Sequence, residues 1–181
     1  VQRVRFRPWP RELLPPAHAT PTVLLPSTAG VFSLGHVRVV TSRLIRRDES
    51  SPLSTLKSLN YLPVILARQE AERRGAQDAL LLNTHGRVAE STISNLLVAT
   101  DAGVLTPPVS EGALAGIARQ ILLERHLVRE APLSPADLLG ARGVWLVNSL
   151  SLRVVRALDG QELCEDGAWT NRLEHALLHA T

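Results

Sequence analysis

The chain has 181 residues, 45% of them hydrophobic, and a formal charge of +3, which suits one domain with a full core, or one domain and a small appendage. No apolar run reaches the roughly 18 residues needed to cross a bilayer, the first residues have no signal-peptide centre, and the lone Cys164 excludes an intrachain disulfide, so a cytoplasmic protein without a membrane partner is expected. Aromatic residues make up only 3% and the arginines are scattered, which argues against nucleic acid and leaves an anionic small molecule as the partner that suits the basic charge.

Residues 1 to 7 set Val4 and Phe6 against Arg3, Arg5 and Arg7, the alternation of a half-buried strand. Apolar runs at 22–25 and 36–40, set off by Pro21, Pro26 and Gly35, predict two more strands. Residues 41–56 are polar, carry Arg46, Arg47, Asp48 and Glu49, and read as a surface connection. From Asn60 the spacing becomes helical: Leu62, Ile65 and Leu66 share a face, Ala67 and Ala71 extend its edge, and Gly75 stands where a C-terminal cap belongs.

Residues 79–82 and 88–90 predict a hairpin around His85-Gly86. Residues 96–99 and 104–106 predict another around Asp101 and Gly103, ending at Pro107-Pro108. Gly112 and Gly116 precede the amphipathic set Ile117, Ile121, Leu122 and Leu127. Such a glycine-flanked helix start can hold phosphate on its N–H groups. Beyond a strand-like run at 128–133, Ser134-Pro135 opens a helix and 144–147 form an apolar strand ending in Asn148-Ser149. Asp159-Gly160 turns a final hairpin, and an amphipathic helix over 170–179 closes the chain. No metal site is expected. No methionine occurs, even at position 1, which reads as a start lying upstream or a fragment.

Nineteen of the 20 basic residues are arginine, and the exception is Lys57. Arginine keeps its proton in a protein, whereas lysine can give it up and attack an aldehyde or ketone. Lys57 is therefore a candidate nucleophile, against the alternative that arginine-favouring codon use spared one surface lysine.

The blocks around it decide between these. LKSLNYL, EAERRGAQDALLLNTHGRVAESTISNLLVA, LTPP, GIAR, WLVNSLS and WTNRLEHAL follow in that order over about residues 54–177. Together they resemble the class IV aminotransferase family, pyridoxal-phosphate enzymes that include D-amino-acid and branched-chain aminotransferases and aminodeoxychorismate lyase. The resemblance implies an α+β fold, a partly barrel-like mixed sheet with flanking helices, with residues 1–181 forming the large C-terminal, cofactor-binding domain. It also implies a homodimer, and a smaller N-terminal domain outside this chain that supplies a phosphate-binding arginine and much of the substrate pocket.

By the same resemblance, Lys57 joins to pyridoxal 5'-phosphate and moves protons, while Glu90 pairs with the pyridine nitrogen. Backbone N–H groups at Ile117 and Ala118, with Ser149 and the backbone of Leu150, hold the phosphate. The family's usual threonine is here Ala118, which removes one hydroxyl donor. Tyr61 is a candidate for the cofactor's phenolic oxygen, against a packing role in the first turn of its helix, and Asn148 and Arg153 are candidates for the substrate, Arg153 through a carboxylate, against a salt bridge at the surface. Asn148-Ser149-Leu150 looks more like the lyases, although the Arg-Gly pair that often follows is Ser151-Leu152 here. The expected reaction is conversion of 4-amino-4-deoxychorismate to 4-aminobenzoate and pyruvate. The alternatives are transamination of a D- or branched-chain amino acid, or a noncatalytic truncated homologue serving as a structural or partner subunit.

Overall fold

Several apolar runs of this sequence are continuous rather than alternating, the pattern of strands covered on both faces. The computed structural model, which describes residues 32–179, has that arrangement. The strands predicted at 1–7 and 22–25 lie outside the described residues. Nine strands form one mixed sheet: β1 (Ser33–Arg47), β2 (Asp78–Asn83), β3 (Val88–Ser91), β4 (Asn95–Thr100), β5 (Gly103–Thr106), β6 (Val128–Glu130), β7 (Gly143–Asn148), β8 (Ser151–Leu158) and β9 (Gln161–Glu162).

The order across the sheet is β3-β2-β1-β8-β7-β4-β5-β6, with β9 added on β8. Strand β1 runs parallel to both β2 and β8, and β5 parallel to β6; the other pairings are antiparallel. At one end of the sheet the Val88 N–H donates to the Leu133 carbonyl, just past the strand at the other end, at 2.8 Å. The sheet therefore curls back on itself, giving the partly barrel-like α+β fold.

Successive strand residues point to opposite faces. Leu80, Leu82, Leu96, Val98, Val144 and Leu146 fill the enclosed side together with Leu133 and Leu138, the latter from the short helix α3 (Pro135–Leu139). Their neighbours Leu97, Ala99, Trp145 and Val147 face outward and pack with α2 (Ile117–Glu124) and α4 (Gly167–Leu178) through Leu122, Leu173 and Ala176. Ala79 and Leu81 pack with Ala67 and Ala71 of α1 (Leu62–Arg73).

Three local expectations are corrected. Strand β1 does not stop at Val40: it continues to Arg47 through an irregularity between Thr41 and Arg46. The buried Glu70 of α1 makes this possible. Its carboxylate accepts from the Arg43 N–H (2.9 Å), the Leu44 N–H (3.3 Å), the Ser42 hydroxyl (2.7 Å) and Arg74 (3.2 Å). Helix α1 turns its alanines inward, while Leu62, Ile65 and Leu66 are 63%, 49% and 40% exposed. Helix α2 ends at Glu124, before Leu127, where His126 adopts a positive φ of 54° and the Leu127 N–H returns to the Leu122 carbonyl.

Burial disfavours charge on Glu70, but its donors outweigh that and hold its carboxyl below the ordinary value of 4.5. Its contribution to stability is thus present above 4.5 and is lost as pH falls through the lowered folded value. Glu70→Ala, which strands several buried donors, is expected to cost about 2–4 kcal/mol in urea unfolding at neutral pH. Glu70→Gln should flatten the acid side of the stability curve.

Candidate active site

Four connections meet at one end of the sheet: the loop between β1 and α1, the turn at 92–94 between β3 and β4, the strap before α2, and the β7–β8 turn. Between them lies a cavity of about 490 Å³ whose walls include Lys57, Tyr61, Glu90, Gly116, Ile117 and Ser149.

Lys57 sits in the loop between a 3-10 turn at Pro52–Thr55 and α1, five positions ahead of Leu62 rather than at the helix start itself. The loop is a built one: the Ser54 hydroxyl donates to the Asp48 carbonyl at 2.6 Å, and Glu49 accepts from the N–H and hydroxyl of Thr84 at 3.0 and 2.5 Å. Those Thr84 bonds, with His85 beside them, lower the Glu49 carboxyl to about 2. Lys57 Nζ donates to the Tyr61 hydroxyl at 3.2 Å.

Glu90 is buried at the end of β3. One oxygen pairs with Arg47 at 3.1 Å and the other accepts from the Leu114 N–H at 2.9 Å. Burial pushes its carboxyl up, opposed by the charge of Arg47, the Leu114 N–H and the charge of Lys57. A buried acid of this kind can face a cationic group.

Helix α2 begins at Ile117 with Gly116 as N-cap and no side chain capping it, so the N–H groups of its first turn are open to an anion. A Cβ at Gly116 would collide with the side-chain oxygen of Asn95, whose amide is held by the Leu114 carbonyl at 2.8 Å. The Ala118 side chain is buried against the sheet with Leu122. Only its backbone can serve an anion. Leu150 is 72% exposed and off the cavity wall.

Arg153 is a correction. From β8 its guanidinium reaches the fully buried Asp78 carboxylate at 2.7 Å, and it is not on the cavity wall. Asp78 also accepts from the Thr92 hydroxyl at 2.6 Å, so the pair braces the 92–94 turn that floors the cavity. A buried carboxylate needs a cation more than a substrate does. Asn148 does line the cavity, but its amide is committed: it donates to Ser94 at 3.0 Å and Ile93 at 3.3 Å and accepts from the Leu150 N–H at 2.9 Å. It shapes the wall rather than presenting a free group to substrate.

Sequence reasoning missed Arg47 and Asp78. The signal for Asp78 was a carboxylate directly ahead of the apolar run 79–82, and for Arg47 the paired Arg46-Arg47 just ahead of the lysine loop.

Residues 7–158 match the amino-transferase class IV family. The bifunctional aminodeoxychorismate lyase / D-amino acid transaminase of Mycobacterium tuberculosis is 32% identical over 124 residues, 61% of this chain and 43% of its own. The branched-chain-amino-acid aminotransferase of Salmonella typhimurium is 29% identical over 176 residues, 90% of this chain and 57% of its own. A hypothetical aminotransferase from Mycobacterium tuberculosis, solved in a PLP-bound form, superposes with a TM-score of 0.72 at 28% identity over 81% of this chain and 57% of that one. The chain belongs to the class IV aminotransferase family, and it spans about half the length of the curated relatives it matches. Among the described residues, no helix is long and apolar enough to cross a membrane.

Proposed function

We propose that this chain is the pyridoxal-phosphate-holding part of an enzyme that converts 4-amino-4-deoxychorismate to 4-aminobenzoate and pyruvate. The observation that carries the reading is the facing of three groups into one cavity: the Lys57 amine with its Tyr61 partner, and the buried Glu90 carboxylate. When bound, the cofactor supplies an electron-accepting ring joined to the substrate nitrogen. Lys57 would hold it, and the Lys57 amine would take the proton from the ring carbon bearing the substrate's nitrogen as the bond from the adjacent ring carbon to the enolpyruvyl oxygen breaks, then give a proton to the departing enolpyruvyl carbon, which leaves as pyruvate. Tyr61 orients the amine. Glu90 keeps a proton on the ring nitrogen, and the open N–H groups at Ile117 and Ala118 with the Ser149 hydroxyl receive the phosphate.

The lyase reading draws support from the Asn148-Ser149-Leu150 run and from the bifunctional relative. Transamination of a D- or branched-chain amino acid is the second reading, favoured by the branched-chain relative that matches 90% of this chain. Purified protein incubated with pyridoxal phosphate and aminodeoxychorismate, without any keto acid, is expected to release 4-aminobenzoate, followed by its fluorescence. Turnover of amino acids only when a keto acid is added would assign the transaminase instead. Protein that gains no visible absorption with added cofactor would assign a noncatalytic subunit.

A further inference from the structure

We infer that Arg47 is the positioning residue of this site: one guanidinium ties the Glu90 carboxylate, the loop bearing Lys57 and the strap leading into α2 into a single frame. The role rests on the reading of Lys57 and Glu90 as the groups that hold the cofactor. Arg47 is the last residue of β1, only partly exposed. Its Nη2 donates to the Ser54 carbonyl at 2.7 Å, three positions before Lys57, and lies 3.1 Å from Glu90 Oε1; its Nε donates to the Gly112 carbonyl at 3.0 Å.

The planar fork of arginine directs separate donors at separate acceptors, which the single ammonium of lysine cannot do. The strap is fitted to it. Gly112 has φ of 92°, and a Cβ there would lie 3.1 Å from the Arg47 Cβ, so the backbone passes directly over the arginine stem. Two residues on, the Leu114 N–H reaches the other oxygen of Glu90 at 2.9 Å, and Gly116 caps α2. The charged groups facing Glu90 are Arg47 and Lys57, and Arg47 is the stronger of the two in opposing the effect of burial.

The test uses the full chain without cofactor, so that it stands or falls apart from the proposed reaction. Amide hydrogen exchange is compared for the wild type, Arg47→Met and Arg47→Lys, and the Glu90 carboxyl is followed by NMR across pH. In Arg47→Met, exchange at Leu56 and Leu114 is expected to rise by about tenfold or more while β7 and α4 stay unchanged, and Glu90 should titrate at higher pH than in the wild type. Arg47→Lys should recover the Glu90 titration but leave both amides fast, because the charge returns without the fork. Wild-type exchange at Leu56 and Leu114 in either variant overturns the inference. Should Arg47→Met fail to fold, Arg47→Lys decides alone: both amides fast supports the frame, and both protected refutes it.

Discussion

Lys57→Ala is expected to leave a protein that folds as well as the wild type and neither fixes pyridoxal phosphate on borohydride reduction nor turns over. Because Lys57 is the only lysine in the chain, reductive labelling has one side-chain target. The mass increase of a single reduced cofactor should map to the peptide containing residues 54–61 and vanish in the variant. Loss of a positioned proton-transfer group alone lowers rate by about 10²–10⁴-fold, and loss of the covalent anchor adds to that. The fold should not notice: Lys57 is exposed and its side chain donates to the Tyr61 hydroxyl, so unfolding free energy should change by no more than about 0.5 kcal/mol. Lys57→Arg sharpens the test. It keeps a cation beside Tyr61, yet cannot lose its proton, and it should be as inactive as the alanine variant. An active Lys57→Arg enzyme would sink the proposed chemistry, since charge alone would then suffice.

What the sequence carried was the order of its blocks. Lys57, Tyr61, Glu90, Ile117 and Ser149 come from four separate stretches of the chain, and no local pattern says that they meet; the family resemblance implies it, and all five line one cavity. Secondary structure was legible where it depends on local chemistry. The Ser134 to Asp137 capping box and the positive-φ turn glycines Gly86 and Gly103 stand where turn and cap residues placed them.

It was illegible where a distant side chain decides. The polar segment 41–47 is a strand because Glu70, some 26–28 positions away, satisfies the N–H groups that the irregular ladder leaves unpaired. The leucine-bearing face of helix α1 stays exposed for a related reason. Apolar periodicity marks a stripe to be covered without saying what covers it, and here the small residues Ala67 and Ala71 approach the sheet while Leu62 and Ile65 stay exposed. For Arg153 the sequence leaves a substrate carboxylate and a surface salt bridge open, because nothing local shows that its partner is Asp78, 75 positions earlier, which is fully buried and needs a cation.

Glu90→Gln should separate the chemical and structural roles of the second site residue. Glutamine preserves the shape and can still accept from the Leu114 N–H, but it carries no charge to keep a ring nitrogen protonated. Turnover is expected to fall by roughly 10²–10³-fold, the scale of losing one preorganised electrostatic contact, with cofactor still reduced onto Lys57. Stability of the cofactor-free protein supplies an independent readout. Burial raises the Glu90 carboxyl above its ordinary value of 4.5 against the pull of Arg47, the Leu114 N–H and Lys57. With the folded value raised, its contribution to stability is fully present below 4.5 and is lost as pH climbs through the raised value. Glutamine does not titrate. The unfolding free energy of wild type minus that of Glu90→Gln, measured in urea, should therefore decline with rising pH across that window and be flat on either side. Saturating pyridoxal phosphate should shrink the decline, because a protonated ring nitrogen offsets the cost of the buried negative charge. A difference that rises with pH would mean that the neighbours of Glu90 already satisfy its charge in full, and would remove the physical reason for a ring nitrogen to seat there.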